Sequence, residues 1–422
     1  MIATITPSKV SGTLSLPASK SAMHRALMCA GFAKGTSVLS ATSTSKDIEA
    51  TSACLKAMGA DIQTNGRTMT VTGCNIENIH SPLTLDANES GSTLRFFIPV
   101  AACTDVPVTF HGKPSLLSRP MGVYADLFVS QNLKFDQSGQ AIELQGPLQP
   151  GLFTLPGDIS SQFVTGLLYA SVLLGGSEIA VLPPFESAAY VDMTVEMMKT
   201  FGVDVQRPTE LGFAVPEGSA FVPADVSIEP DYSQLAFFAV LAALNAPLSF
   251  TSLQEKTLQG DAVILDILEK SGAKITRENG LLTVAPGIRI PFTADLSSCP
   301  DLGPALCVLA AFLPGTSRIV NAGRLRIKEC DRIEAMENEL KKWGVDISST
   351  EDSITITGKE SYQSRTPVVI DAHNDHRVVM AMSVFGLCAD GTTVIENAQA
   401  VEKSYPDFFE DLEKIHGKAV LS

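Results

Sequence analysis

Apolar residues recur along this chain with a helical period. Each amphipathic stretch closes on Gly or Asn and runs directly into alternating, strand-like sequence. The closing residues are Gly59, Asn132, Gly202, Gly272, Gly344 and Gly417, separated by 73, 70, 70, 72 and 73 residues. Even the spelling repeats: Leu55-Lys56-Ala57-Met58-Gly59-Ala60-Asp61-Ile62 returns with like residues from Met198 to Val205 and from Leu340 to Ile347. Gly and Asn tolerate the left-handed backbone that ends a helix, so one structural unit is copied six times.

A second helix precedes the amphipathic one in each copy, and it is apolar nearly all round. The six begin near Ser19, Ser90, Ser160, Asp231, Asp301 and Asn374, and include the runs Gln162 to Leu174 and Leu235 to Leu244. A helix without a polar face is buried, so these six form an inner layer. Strand, turn and strand then follow, as in Asp61 to Gly73 about Asn65-Gly66 and Lys274 to Ala285 about Asn279-Gly280, where Asn-Gly signals a hairpin. The unit reads as βαβαββ and the fold class as α/β. Six units divide into two domains of three, with the break expected near Gly218 to Glu229, where Pro and Gly are frequent.

Composition narrows the setting. A chain of 422 residues exceeds what one core organises, and 45% hydrophobic with 18% charged residues describes a soluble globular protein. Met1 to Ile5 has no basic segment followed by an apolar run, and no stretch is long enough to span a bilayer, so a cytoplasmic location is expected. The eight cysteines form no Cys-x-x-Cys pair, which favours reduced thiols over disulfides or zinc. A net charge of -15 argues against nucleic acid or an anionic membrane as partner and makes local clusters of Lys and Arg informative.

Those clusters fall at the starts of the inner helices. Ser19-Lys20-Ser21 with Arg25, Ser90-Gly91-Ser92-Thr93 with Arg95, Ser160-Ser161-Gln162, Asp231-Tyr232-Ser233-Gln234, Asp301, and Asn374-Asp375-His376-Arg377 open the six. Ser, Asp and Asn there are explained by capping alone. Lys20, Arg25, Arg95, His376 and Arg377 are not, because cations near a helix N-terminus oppose the macrodipole and call for a compensating anion. Arg119-Pro120 and Lys403 ahead of Tyr405-Pro406 place a cation beside a helix-starting proline. The densest run is Arg324 to Arg332; strand-like alternation of Arg324, Arg326 and Lys328 would aim three cations to one side, whereas a solvated charged face is the plainer alternative.

Taken together, Pro17-Ala18-Ser19-Lys20-Ser21 with Arg25, Gly91 to Arg95, Arg119-Pro120-Met121, Ser160-Ser161-Gln162, Ser187 with Tyr190, Pro300-Asp301, Lys328-Glu329-Cys330-Asp331-Arg332, Asp375-His376-Arg377 and Lys403 to Asp407 resemble, in order and along the whole chain, the 5-enolpyruvylshikimate-3-phosphate synthase family. The resemblance implies two similar globular domains of three units each, joined by a two-strand hinge. Residues 18–228 would form one domain and residues 1–17 with 229–422 the other, with the active site in the cleft between them. It implies transfer of the enolpyruvyl group of phosphoenolpyruvate to the 5-hydroxyl of shikimate 3-phosphate, without metal or organic cofactor. The expected partners are these small molecules alone, and the expected state is a monomer.

Carried over residue by residue, the resemblance assigns Lys20, Ser21, Arg25, Ser160, Ser161, Gln162, Ser187, Tyr190, Asp301 and Lys328 to shikimate 3-phosphate. It assigns Lys20, Gly91, Arg119, Gln162, Arg332, Arg377 and Lys403 to phosphoenolpyruvate, where guanidinium groups suit two-point contacts with carboxylate and phosphate. Asp301 is the candidate base toward the 5-hydroxyl, with Glu329 and Lys20 as the other proton carriers. His376 is more simply structural than a proton carrier. Glu89, Phe96 and Arg324 depart from residues common in the family, which leaves fine contacts at these positions open.

Three other readings compete. Enolpyruvyl transfer to a UDP-amino sugar uses a similar fold, but such enzymes carry a Cys before Arg-Pro, whereas Lys113 to Ser118 has none, and Asn after the first Lys, where this chain has Ser21. A non-catalytic anion binder would not need Asp301 and Glu329 among its cations. A nucleotide-dependent kinase would need a Gly-x-x-x-x-Gly-Lys-Ser/Thr loop, which is lacking.

Overall fold

A computed structural model describes residues 1–254 and 256–422. The repeats run strand, inner helix, strand, outer helix and, in all but the third and sixth, an antiparallel hairpin. In the second, Leu83–Asp86 lies parallel to Pro107–His111, which pairs antiparallel with Ile142–Gln145, and Lys134–Asp136 completes the sheet. The fifth repeats this order with Thr293–Asp295, Gly315–Val320, Ile354–Gly358 and Asp346–Ser349. The third has only three strands among the described residues, and a lone bridge from Gln206 to Ala214 stands in for the fourth.

Strands are not always supplied by their own repeat. Thr13–Ser15 leads into the first inner helix yet pairs with Leu248–Thr251, while Val226–Ser227 leads toward the fourth inner helix yet pairs with Thr36–Ser40. The sixth sheet is closed by Ala3–Thr6, antiparallel to both Thr393–Glu396 and Lys418–Leu421. The chain divides into two compact units, Ala18–Ile228 and Met1–Pro17 with Glu229–Ser422.

Each unit has its own hydrophobic core around three inner helices. Lys20–Gly31, Gly91–Ala101 and Ser161–Leu173 fill one; Tyr232–Leu244, Gly303–Ala311 and His376–Cys388 fill the other. All 13 residues of Tyr232–Leu244 are buried, as its lack of a polar face requires. Each Leu or Phe buried this way contributes about 2 kcal/mol. The Gly91–Ala101 and Ser161–Leu173 helices approach closely at Gly166, where a Cβ would lie 2.5 Å from the Arg95 carbonyl. Tyr124 Oη donates to that same carbonyl at 2.6 Å, which fixes the turn of helix that carries Arg95. Among the described residues no helix is long and apolar enough to cross a membrane.

Five of the six helix closures have left-handed backbone at the expected residue: Gly59, Asn132, Gly202, Gly272 and Gly344. The sixth differs. His416 takes the positive φ of 65°, and Gly417 is needed instead for close packing, since a Cβ there would lie 2.9 Å from the Leu412 carbonyl oxygen. The hairpin at Asn279-Gly280 has both residues at positive φ, as a tight two-residue turn demands.

Candidate active site

In the Ala18–Ile228 unit, Ser19 caps the first inner helix by accepting the Ala22 N–H at 3.3 Å, so Lys20 is the first helical residue. Its Nζ lies 2.8 Å from Asp47 Oδ2, a residue of the first turn of Lys46–Ala57. One turn below, His24 Nδ1 meets Thr51 Oγ1 at 2.8 Å. Burial, reinforced by the charges of Lys20 and Arg25, holds the His24 pKa well below its ordinary value, so this imidazole stays neutral.

Arg25 is only 3% exposed. Its guanidinium donates to the Ser21 carbonyl at 2.7 Å, to the Tyr190 carbonyl at 2.7 and 3.2 Å, and to Thr194 Oγ1 at 2.9 Å. It also faces the rings of Phe96 and Tyr190 at 5.8 and 5.9 Å. Arg25 therefore ties Ser21 to Tyr190, and Phe96 serves as packing beneath it. Ser187, buried and left-handed at φ 54°, starts the Ala188–Thr200 helix that carries Tyr190.

A second cluster joins the other two inner helices of this unit. Ser160 caps Ser161–Leu173 through the Gln162 N–H at 3.3 Å. Gln162 Oε1 accepts from Arg95 Nη1 at 2.7 Å, and its Nε2 donates to Ser92 Oγ at 2.8 Å. A Cβ on Gly91 would stand 2.8 Å from Arg119 Nη1, 3.4 Å from Arg95 Nη1 and 3.8 Å from Gln162 Oε1. Gly91 thus lets two guanidinium groups approach the helix start closely. Ser161 is buried in the first turn of its helix, where unpaired N–H groups collect.

In the other unit, Arg332 is the centre. Only 1% exposed, it donates to Asp375 at 2.8 and 3.3 Å, to Asp301 Oδ1 at 3.1 Å and to Glu329 Oε2 at 2.6 Å. Burial opposes its charge, but Asp375, Glu329 and Asp301 outweigh that and hold its pKa well above the ordinary value. Arg377 Nη2 reaches Asp301 Oδ2 at 2.9 Å, and Lys328 Nζ stands 3.6 Å from Asp301 Oδ1. Burial alone would raise the Asp301 pKa; Arg377, Lys328 and Arg332 reverse this and hold it well below the usual carboxylate range. Lys328 is lowered to about 8 by burial, with Arg324 and Arg332 adding to the shift against the pull of Asp301. Lys403 Nζ donates to the Asn374 carbonyl at 2.6 Å.

Local structure explains why these groups meet. Asp301 lies in the 3-10 helix Pro300–Leu302, which precedes Gly303–Ala311, and the α-helix has no side-chain cap, so the carboxylate faces cations instead of backbone N–H groups. The sixth inner helix is capped by Asp375, one residue later than Asn374, through the Arg377 N–H at 2.8 Å. The Arg324 to Lys328 run is not a strand: Gly323–Ile327 is a 3-10 helix that buries Leu325 but leaves Ile327, which alternation would place beside it, exposed. Arg326 consequently leaves for Asp331 and the Thr350 and Glu351 carbonyls, while Lys328 joins the Asp301 cluster. Pro120 and Pro406 fall two residues ahead of the Gly122–Ser130 and Phe408–Lys414 helices rather than at their first positions.

The anions expected from a ligand are in part the chain's own. Asp47 beside Lys20 and Asp375 beneath Arg332 lie outside the residues that the sequence assigns, and Arg95, a cation at its helix start, belongs to neither assigned pocket. Asp375 was legible, since it sits between two motif residues; Asp47 was not, because a first-turn Asp is usual on any helix.

A family model described as EPSP synthase (3-phosphoshikimate 1-carboxyvinyltransferase) matches residues 5–412. The 3-phosphoshikimate 1-carboxyvinyltransferase of Clostridium novyi is 39% identical, with 98% of this chain and 97% of that protein covered. The Clostridium kluyveri protein of the same name is also 39% identical over the same shares. Among solved structures, EPSP synthase from Acinetobacter baumannii superposes with a TM-score of 0.80 at 24% identity, covering both chains completely. The enolpyruvyl transferase NikO from Streptomyces tendae reaches 0.75 at 17% identity, covering 99% and 98%.

Proposed function

Because the chain belongs to the EPSP synthase (3-phosphoshikimate 1-carboxyvinyltransferase) family, we propose that these clusters divide the work of one enolpyruvyl transfer, each unit supplying part of the residues. The reaction joins the 5-hydroxyl oxygen of shikimate 3-phosphate to C2 of phosphoenolpyruvate and releases phosphate. The observation that carries the assignment of roles is Asp301, an ionised carboxylate held by Arg332, Arg377 and Lys328.

Addition needs a base for the hydroxyl proton and an acid for the methylene carbon; elimination expels phosphate, removes that proton again and restores the double bond. Asp301 takes the hydroxyl proton, and Glu329 and Lys20 carry the other. Arg119, Arg332, Arg377 and Lys403, with Lys20, Gly91 and Gln162, take the carboxylate and phosphate of phosphoenolpyruvate. The Ser160-Ser161 helix start, Ser187 and Lys328 receive the phosphate and hydroxyls of shikimate 3-phosphate, while Arg25 orders Ser21 and Tyr190 around its ring. Cations fixed beforehand by internal carboxylates stabilise the anionic tetrahedral intermediate without reorganising. A cytoplasmic monomer is the setting we infer, the compartment supported by eight free cysteines.

Phosphate release from phosphoenolpyruvate is the direct assay. Release with shikimate 3-phosphate and none with UDP-N-acetylglucosamine is expected; the reverse, or neither, sinks the reading. Gly91→Ala should raise the KM for phosphoenolpyruvate about tenfold, the scale of one misplaced methyl in a fitted pocket, and an unchanged KM would remove Gly91 from this role. With Lys328 at about 8, kcat/KM for shikimate 3-phosphate should fall as pH rises through that value, because the ammonium that meets the anion is lost. Lys328→Arg should abolish this limb, and a limb retained in that variant would assign it elsewhere.

A further inference from the structure

The segment that feeds Arg377 into its cluster is held by two residues that none of the roles above uses, Glu339 and His373. His373 and Asn374 are consecutive left-handed residues, with φ of 51° and 52°. Such backbone is uncommon outside Gly and persists where the surroundings over-determine it. One helix, Arg332–Lys342, pins the segment at two points. At its first residue Arg332 grips Asp375. Two turns along, Glu339 is 2% exposed; one of its oxygens lies 3.0 Å from His373 Nε2, and the other accepts the Asp371 N–H at 3.0 Å and Lys342 Nζ at 2.6 Å. The His373 N–H closes the turn on Asp371 Oδ1 at 2.9 Å.

What lies downstream gives the pinning its meaning. The Asn374 carbonyl, aimed by this turn, accepts Lys403 Nζ, and the next residue, Asp375, binds Arg332 and caps the helix of Arg377 with the same carboxylate. Three candidate phosphoenolpyruvate cations therefore take their places from one short left-handed turn. A carboxylate buried this deeply is costly unless its acceptors are filled, and Glu339 fills them with the two ends of that turn.

We propose that Glu339 and His373 are positioning residues for phosphoenolpyruvate, setting the turn through which Asn374 orients Lys403 and Asp375 aligns Arg332 with Arg377. This rests on the assignment of Arg332, Arg377 and Lys403 to that substrate. Neither residue touches a reacting atom, so their loss should appear in KM for one substrate rather than in kcat.

The test is steady-state kinetics and shikimate 3-phosphate binding on the full chain. His373→Asn keeps a residue that tolerates left-handed backbone but is too short to reach Glu339. It should raise the KM for phosphoenolpyruvate about tenfold, the weight of a hydrogen bond to a charged group, with kcat and the Kd for shikimate 3-phosphate within about twofold. Glu339→Gln should shift the same constant in the same direction, and since His373 is partly exposed, His373→Asn leaves a folded protein to measure if the buried substitution does not. Arg377→Gln is the reference. If it leaves the KM for phosphoenolpyruvate unchanged, the substrate assignment itself fails. If it raises that KM while His373→Asn leaves it within twofold, or weakens both substrates in parallel, the positioning role is overturned.

Discussion

Asp301→Ala is expected to lower kcat by about three orders of magnitude while shikimate 3-phosphate still binds, the range for loss of a positioned general base. The charge balance around it sharpens the expectation. Asp301 lies against Arg332, Arg377 and Lys328, so its removal leaves these cations with more unspent positive charge. The KM for phosphoenolpyruvate should therefore fall or stay level even as turnover collapses, a combination that a misfolded site would not give. Single-turnover kinetics with equilibrium binding of each substrate checks it. Turnover within about threefold of the parent would remove Asp301 from the role of base, and a large rise in phosphoenolpyruvate KM would show that it anchors that substrate instead.

Arg332→Met should destabilise its unit by about 3–5 kcal/mol, because it strands a fully buried carboxylate, Asp375, without its cation. For a unit of this size that corresponds to a fall in Tm of roughly 10 °C. The pH dependence follows from the depressed Asp301. Its folded pKa lies below the unfolded one, so it contributes stability above about pH 4 that is lost as pH falls through the folded value. The variant loses only the Arg332 share of that contribution, which ranks behind those of Arg377 and Lys328, so the gap in Tm between the two proteins should narrow slightly on acidification below about pH 4. Calorimetry across that range decides it; a neutral-pH Tm within about 2 °C of the parent would mean that Asp375 finds another partner.

Architecture was largely legible because it depends on period and punctuation. Apolar helices without a polar face could only be buried, and Asn279-Gly280 could only turn. Where reading failed, a tertiary contact had overridden a local pattern. The apparent strand at Arg324 to Lys328 is a 3-10 helix that buries Leu325 and exposes Ile327, and packing against Leu412 gave Gly417 a purpose that backbone preference did not foresee. The motif residues announced themselves through cations in unsuitable places. The counterion of Lys20 did not, since Asp47 looks like an ordinary first-turn acid until the neighbouring helix is in place.

The strand Ala3–Thr6 has a consequence for how the molecule is made. It is synthesised before every other strand of its sheet, and one of its two partners, Lys418–Leu421, follows more than four hundred residues later. At roughly 5–20 residues per second the ribosome keeps it waiting for tens of seconds. Residues Ala18–Ile228 have all their strands in hand once Val226–Ser227 emerges, and can fold while translation continues. The remaining unit cannot close until Lys418–Leu421 has been made. Through that interval a nascent segment bearing Ala3 and Ile5, both destined for complete burial, stays unpaired at both edges, so its brevity at four residues limits what else it can recruit.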